Sequence, residues 1–162
     1  MRSSYVRPSG FGPRNTALLE KVTDLMGGSG SRKFADFKSL SVRFRSDGIT
    51  CSEYHDHCLQ LVDVKTFEKF FPEMLVLLPD IPKQQVGEHI SYEREIRIEF
   101  ANALFDIFCV QELYAIHVSR YPKSMLAVTP CGRCGQLVAK SELEEHKQAH
   151  SLHSDFPQLS LR

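Results

Sequence analysis

The sequence predicts an all-α fold, a small helical bundle closed at its C-terminal end by a short ββα unit that a metal holds together. Three observations predict it. Apolar residues recur every three to four positions through most of the chain, the period of one face of an α-helix. Helix starts and stops are spelled out by capping boxes, glycines and prolines. Near the C-terminus, two cysteines three apart and two histidines four apart stand in the spacing of a tetrahedral site.

The elements follow in chain order. Residues 1–14, rich in Ser, Pro, Gly and Arg, read as a flexible tail. Asn15-Thr16 starts a helix whose face carries Leu18, Leu19, Val22, Leu25 and Met26, and Gly27-Gly28-Ser29-Gly30 ends it. A second helix runs from Arg32 to Arg45 with Phe34, Phe37, Ser41 and Phe44 on its stripe, stopped by Asp47-Gly48. Thr50-Cys51-Ser52-Glu53 is a capping box. Ile49 and Tyr54 stand where a hydrophobic staple belongs, and the helix turns Tyr54, Cys58, Leu61 and Val62 inward. Thr66 to Leu78 carries Phe67, Phe70, Phe71, Met74, Leu75, Leu77 and Leu78. Pro72 there marks either a kink or the first turn of a fresh helix. Pro79-Asp80-Ile81-Pro82 is a stop. A last long helix, Ser91 to about Ser119, has Ile96, Phe100, Ala103, Leu104, Ile107, Phe108 and Leu113 along one side, and Tyr121-Pro122 ends it. It packs either on the bundle or against a partner. The organisation is thus a tail over 1–14, a bundle over 15–85, an additional helix or linker over 86–128, a finger over 129–151 and a tail over 152–162.

Composition narrows the class. A hydrophobic fraction of 42% and a charged fraction of 25% are those of an ordinary soluble protein. No run reaches the ~18 uncharged apolar residues of a membrane span. The N-terminal positive charges have no apolar stretch behind them, so a secretory signal is not expected, and the five cysteines are expected as thiols or metal ligands. The expected location is the cytoplasm. Net charge is zero but uneven, +5 over residues 1–48, −7 over 49–112 and +2 over 113–162. The basic block could touch ribosomal RNA through phosphate contacts, although a solvated helix face beside a basic tail explains it as well.

The chemistry lies in Cys131-Gly132-Arg133-Cys134, eleven residues, then His146-Lys147-Gln148-Ala149-His150. Two thiolates and two imidazoles are a structural zinc set. Gly132 and Gly135 permit a tight knuckle. His146 and His150 share a helix face, and Ser141-Glu142-Leu143-Glu144 reads as a second capping box that starts that helix. Leu143, with Leu137 or Val138, supplies a small core. DNA reading is not expected from one finger whose helix opens on Glu142, Glu144 and Glu145. A nuclear nucleic-acid-binding finger protein stands as the alternative. Cys51, His55 and Cys58 share a helix face and suggest a second metal site. The plainer reading makes Tyr54 and Cys58 core residues and leaves His55 and His57 solvated. No phosphate loop or nucleotide fingerprint is present, and catalysis by this chain alone is not expected.

Two stretches carry a resemblance. One runs from Phe37 to Tyr54, through Cys58-Leu59, to Phe70–Gln85, with Leu77-Leu78-Pro79-Asp80 and Lys83-Gln84-Gln85 inside it. The other is the finger followed by Asp155-Phe156-Pro157-Gln158-Leu159. Together, over about 32–85 and 131–159, they resemble the C-terminal part of the RING and zinc-finger E3 ubiquitin ligases that sense collided ribosomes. The resemblance implies a helical domain similar to a paired amphipathic helix, bound zinc, and a role in ribosome-associated quality control and ribosomal-protein ubiquitination. It also implies a protein partner, either an amphipathic helix or a ribosome-associated factor. The chain departs from the family twice. A RING needs eight Cys/His ligands, and no such spacing is present. Residues 86–128 read as an apolar helix where the family has a variable polar linker.

Overall fold

In a computed structural model, the structure describes residues 6–45, 48–77 and 107–155. They are mostly helical, with one small sheet. Helix α1 (Phe11–Leu25) begins ahead of the expected start at Asn15. Gly10, at φ 63°, turns the chain into the helix, and Pro13 falls in the first turn, where its missing N–H is not needed. The reading of residues 1–14 as a flexible tail is therefore corrected for residues 11–14, which are helical, and Val6 is also bonded to the far end of the chain. Leu18, Val22 and Met26 form the buried stripe. The helix ends in a Schellman turn: Gly27, at φ 95°, donates to Asp24 (3.0 Å) and Gly28 to Thr23 (2.8 Å).

Ser31 caps helix α2 (Arg32–Arg45), its hydroxyl accepting from the Phe34 amide at 3.1 Å. Phe34, Phe37, Ser41 and Phe44 are buried as their spacing predicts. Helix α3 (Cys51–Leu61) opens with the expected capping box. The Thr50 hydroxyl accepts from Glu53 N at 3.2 Å, and the Glu53 carboxylate accepts from Thr50 N at 2.7 Å. Its Tyr54 meets α2, stacked on Phe44 with centroids 4.4 Å apart and bonded to the Ser41 hydroxyl at 3.1 Å. Asp63 caps the one-turn helix α4 (Val64–Phe67), accepting from Thr66 N at 2.9 Å. Helix α5 (Phe71–Leu77) is a fresh helix with Pro72 in its first turn, not the continuation of a kinked one. Phe67, Phe70 and Phe71 pack on one another at the centre.

Helix α6 (Ile107–Arg120) falls within the stretch expected to be helical, whose residues before Ile107 lie outside the described ones, and it packs on α3. Its Val110, Leu113 and His117 are buried. Ile96, Phe100, Ala103 and Leu104, the segment Leu78–Gln85, and Phe156–Leu159 lie outside the described residues. Strands β1 (Val128–Pro130) and β2 (Leu137–Ala139) pair antiparallel with Thr129 opposite Val138. A 3-10 turn (Lys140–Glu142) leads into helix α7 (Leu143–Asp155). The Ser141–Glu144 capping box does not form, because that turn carries the chain into α7 and the Glu144 carboxylate accepts from Lys147 Nζ at 2.7 Å.

One apolar core runs from Phe11 through the bundle to Val128 and Leu137 of the hairpin. Both faces of β2 are covered, since Leu137 and Val138 are adjacent and both buried. In an isolated hairpin one of them would face water. Here α5 packs on β2. Among the described residues no helix is long and apolar enough to cross a membrane.

Candidate metal centre

Cys131 follows β1, and the chain turns sharply before β2. Gly135 N donates to Cys131 O at 2.7 Å, and Cys131 N donates to Gln136 O at 2.8 Å. Gly135 has φ 76°, so the knuckle needs a glycine there. Gly132 has no such backbone and open space around its α-carbon, so its part in the expected knuckle is dispensable. Helix α7 then presents His146 and His150 one turn apart, with ring centroids separated by 4.7 Å.

The four side chains converge. Their ligand atoms all lie within 4.8 Å of one another, and together they could hold a metal ion. Cys134 Sγ stands 3.3 Å from His146 Nε2, Cys131 Sγ 3.9 Å from His150 Nε2, and the two Nε2 atoms 3.0 Å apart. Cys131, His146 and His150 are buried and Cys134 is half-buried. Burial opposes ionisation of Cys131, but amide bonds from Arg133 and Cys134 outweigh it and hold that thiol below its ordinary value. Burial, together with the neighbouring Cys131, pushes the Cys134 thiol up. Burial, helped by His150, keeps His146 below its ordinary value.

Cys51, His55 and Cys58 do not make a second site. Cys58 is enclosed beside Tyr54, and burial pushes its thiol up to about 12. His55 is fully buried, contrary to its expected solvation, because α6 covers it. Its Nε2 meets His117 Nδ1 at 2.9 Å, and its Nδ1 meets Arg120 Nη1 at 3.0 Å. His117 Nε2 meets Glu68 at 3.0 Å. Arginine can only donate, so His55 Nδ1 accepts and its proton sits on Nε2. That proton is donated to His117 Nδ1, and His117 Nε2–H is donated to Glu68. Arg120 also reaches Asp56 and the Ser52 hydroxyl. His57 is half-buried and bonds Gln60.

Three residues around the centre escaped the sequence reading. Gln111 of α6 donates to the Gly135 carbonyl at 2.6 Å. Gln136 pairs its side-chain amide with both backbone groups of Val6, at 2.7 and 3.0 Å. Arg14 of α1 forks onto Glu73 at 2.7 and 2.9 Å and reaches Glu142 at 2.7 Å. Their separations of 24 to 130 residues leave no trace in any local pattern.

Comparison with known proteins bears on both regions. Residues 13–86 match the profile of the ZNF598 PAH domain. Over 96% of its length the chain is 30% identical to the E3 ubiquitin-protein ligase ZNF598 of Homo sapiens and 30% to that of Mus musculus, and 27% to that of Danio rerio. It spans only 17% of the human and mouse proteins and 16% of the zebrafish one. No solved structure matches. The similarity covers both the helical bundle and the Cys/His cluster, and the chain is related to the ZNF598 ubiquitin ligases over nearly all of its length.

Proposed function

We propose that this chain is a non-catalytic, zinc-binding protein-interaction module that works in the cytoplasm, in ribosome-associated quality control. The observation that carries the reading is the PAH-domain match at residues 13–86 within a similarity that also takes in the C-terminal cluster. Its parts are a bundle over 15–85, an added helix over 86–128, a C2H2 ββα finger over 129–151 and a tail over 152–162. Zinc is the ion the donor set favours. A tetrahedron with zinc–sulfur bonds of about 2.3 Å and zinc–nitrogen bonds of about 2.05 Å has N–N edges of about 3.3 Å and S–N edges of about 3.6 Å. The distances of 3.0, 3.3 and 3.9 Å straddle those edges. Cys131, Cys134, His146 and His150 would be its ligands, and bound zinc would supply structural cross-linking.

The nuclear, nucleic-acid-reading alternative fares poorly. Counted from Lys140 as the first helical residue, the base-reading positions −1, 3 and 6 are Ala139, Glu142 and Glu145. Two are acidic, and Glu142 is already held by Arg14. Arg14 faces inward and Arg7 lies over the Phe11 ring at 4.7 Å, which weakens the case for RNA contact through the basic N-terminus.

The partner surface does not include Phe70 and Phe71, which are fully buried. An accessible alternative is a shallow groove of about 280 Å³ between α2 and α3, lined by Ser39, Leu40, Arg43, His57, Gln60 and Leu61. The test is a pull-down from ribosome-containing lysate with the wild-type chain and an Arg43→Glu/Leu61→Glu variant that keeps its helical circular dichroism. Ribosome-associated proteins are expected with the wild type and not with the variant, and equal recovery would refute the groove. Ubiquitination by the purified chain with E1 and E2 is expected to yield no product.

A further inference from the structure

We infer that the metal centre is the clasp of the whole fold, so that metal loading at Cys131, Cys134, His146 and His150 holds helices α1 and α6 and the segment before α1 against the bundle. This rests on the zinc reading above and goes beyond it, because a finger is ordinarily a unit whose metal folds only itself.

The two residues after Cys134 are both anchor points for distant parts of the chain. Gly135 offers its carbonyl to Gln111 of α6, and Gln136 clamps the Val6 backbone from both sides. Gln136 is 2% exposed, so its amide has no water to turn to if Val6 leaves. On the other side of the hairpin, Glu142 precedes His146 by one turn and takes Arg14 of α1, whose guanidinium also forks onto Glu73 of α5. Between these polar ties, β2 lies on α5 and its Leu137 belongs to the bundle core. Every anchor thus sits on backbone whose path depends on the four ligands meeting.

Without an ion the knuckle itself keeps only two backbone bonds, Gly135 N to Cys131 O and Cys131 N to Gln136 O. The hairpin has three residues per strand, and two imidazole nitrogens and two sulfurs would crowd within a few ångströms of one another with nothing between them. Such a short hairpin is marginal by itself. A metal that binds only the closed arrangement stabilises every element that must open when the knuckle opens. Here those elements include α6 and the chain from Val6 to Arg14.

The experiment is hydrogen exchange by mass spectrometry on the full chain, zinc-loaded and after treatment with EDTA, with zinc stoichiometry measured in parallel. Chelation is expected to speed exchange at least tenfold over residues 107–120 and 6–25, as well as over 126–155. Acceleration confined to 126–155 overturns the inference and leaves the zinc reading standing. Absence of bound zinc defeats that reading itself. A Gln111→Ala/Gln136→Ala variant separates transmission from general unfolding. It should still bind one zinc, while residues 6–14 and 107–120 exchange several-fold faster than in the loaded wild type. Unchanged exchange there would overturn the clasp.

Discussion

At Gly135 three requirements meet on one α-carbon. Its φ of 76° is left-handed, its carbonyl accepts from Gln111, and an added β-carbon would lie 2.6 Å from Gln111 Nε2. Left-handed backbone costs an L-residue about 1–2 kcal/mol, and displacing Gln111 removes a hydrogen bond worth about 1 kcal/mol. Gly135→Ala is therefore expected to destabilise the protein by roughly 2–3 kcal/mol, read as a lower midpoint in thermal unfolding. Gly132→Ala, in open space and without a positive φ, should stay within about 0.5 kcal/mol of the parent. Equal melting of the two variants would mean that the knuckle does not need this geometry.

Between elements, the attachment of α6 to α3 runs through the buried ring of His55. Burial first, then His117 and Arg120, lowers His55 to about 4, with only Asp56 opposing. The unfolded chain would protonate this ring near its ordinary value of about 6.5. Between about pH 6.5 and 4 the unfolded state thus binds more protons than the folded one, and stability falls as pH falls through that window. The groups facing the ring are Arg120 and His117 of α6 and Asp56 of α3, with Glu68 behind His117. The expected loss from this ring between pH 7 and pH 5 is about 2 kcal/mol, taken as the difference in urea midpoints between the parent and His55→Asn. Parallel pH profiles for the two proteins would remove the relay from the linkage.

Across the whole molecule, Arg14 joins three elements that are far apart in sequence. Bonds to Glu73 foremost, and then to Glu142, raise its pKa further above its ordinary value despite partial burial. A guanidinium serves two carboxylates through a planar fork, whereas an ammonium cannot match that geometry. Arg14→Lys keeps the charge and should still cost about 1–3 kcal/mol in urea unfolding, with zinc stoichiometry unchanged. Full stability in the lysine variant would reduce the bridge to simple charge attraction.

Local patterns in the sequence determined most helices and picked out the four Cys and His side chains that converge. The aromatic period wrote α2, the Thr50–Glu53 box wrote the start of α3, and the Cys and His spacings marked the four side chains that cluster, because each pattern is local or matches one known coordination geometry. Tertiary structure alone decided that the hairpin lies on α5, that His55 is buried against His117, and that Arg14, Gln111 and Gln136 tie the knuckle to the bundle. Those contacts join residues 24 to 130 positions apart. A polar side chain that finds its partner across the fold looks, in the sequence, the same as one that faces water.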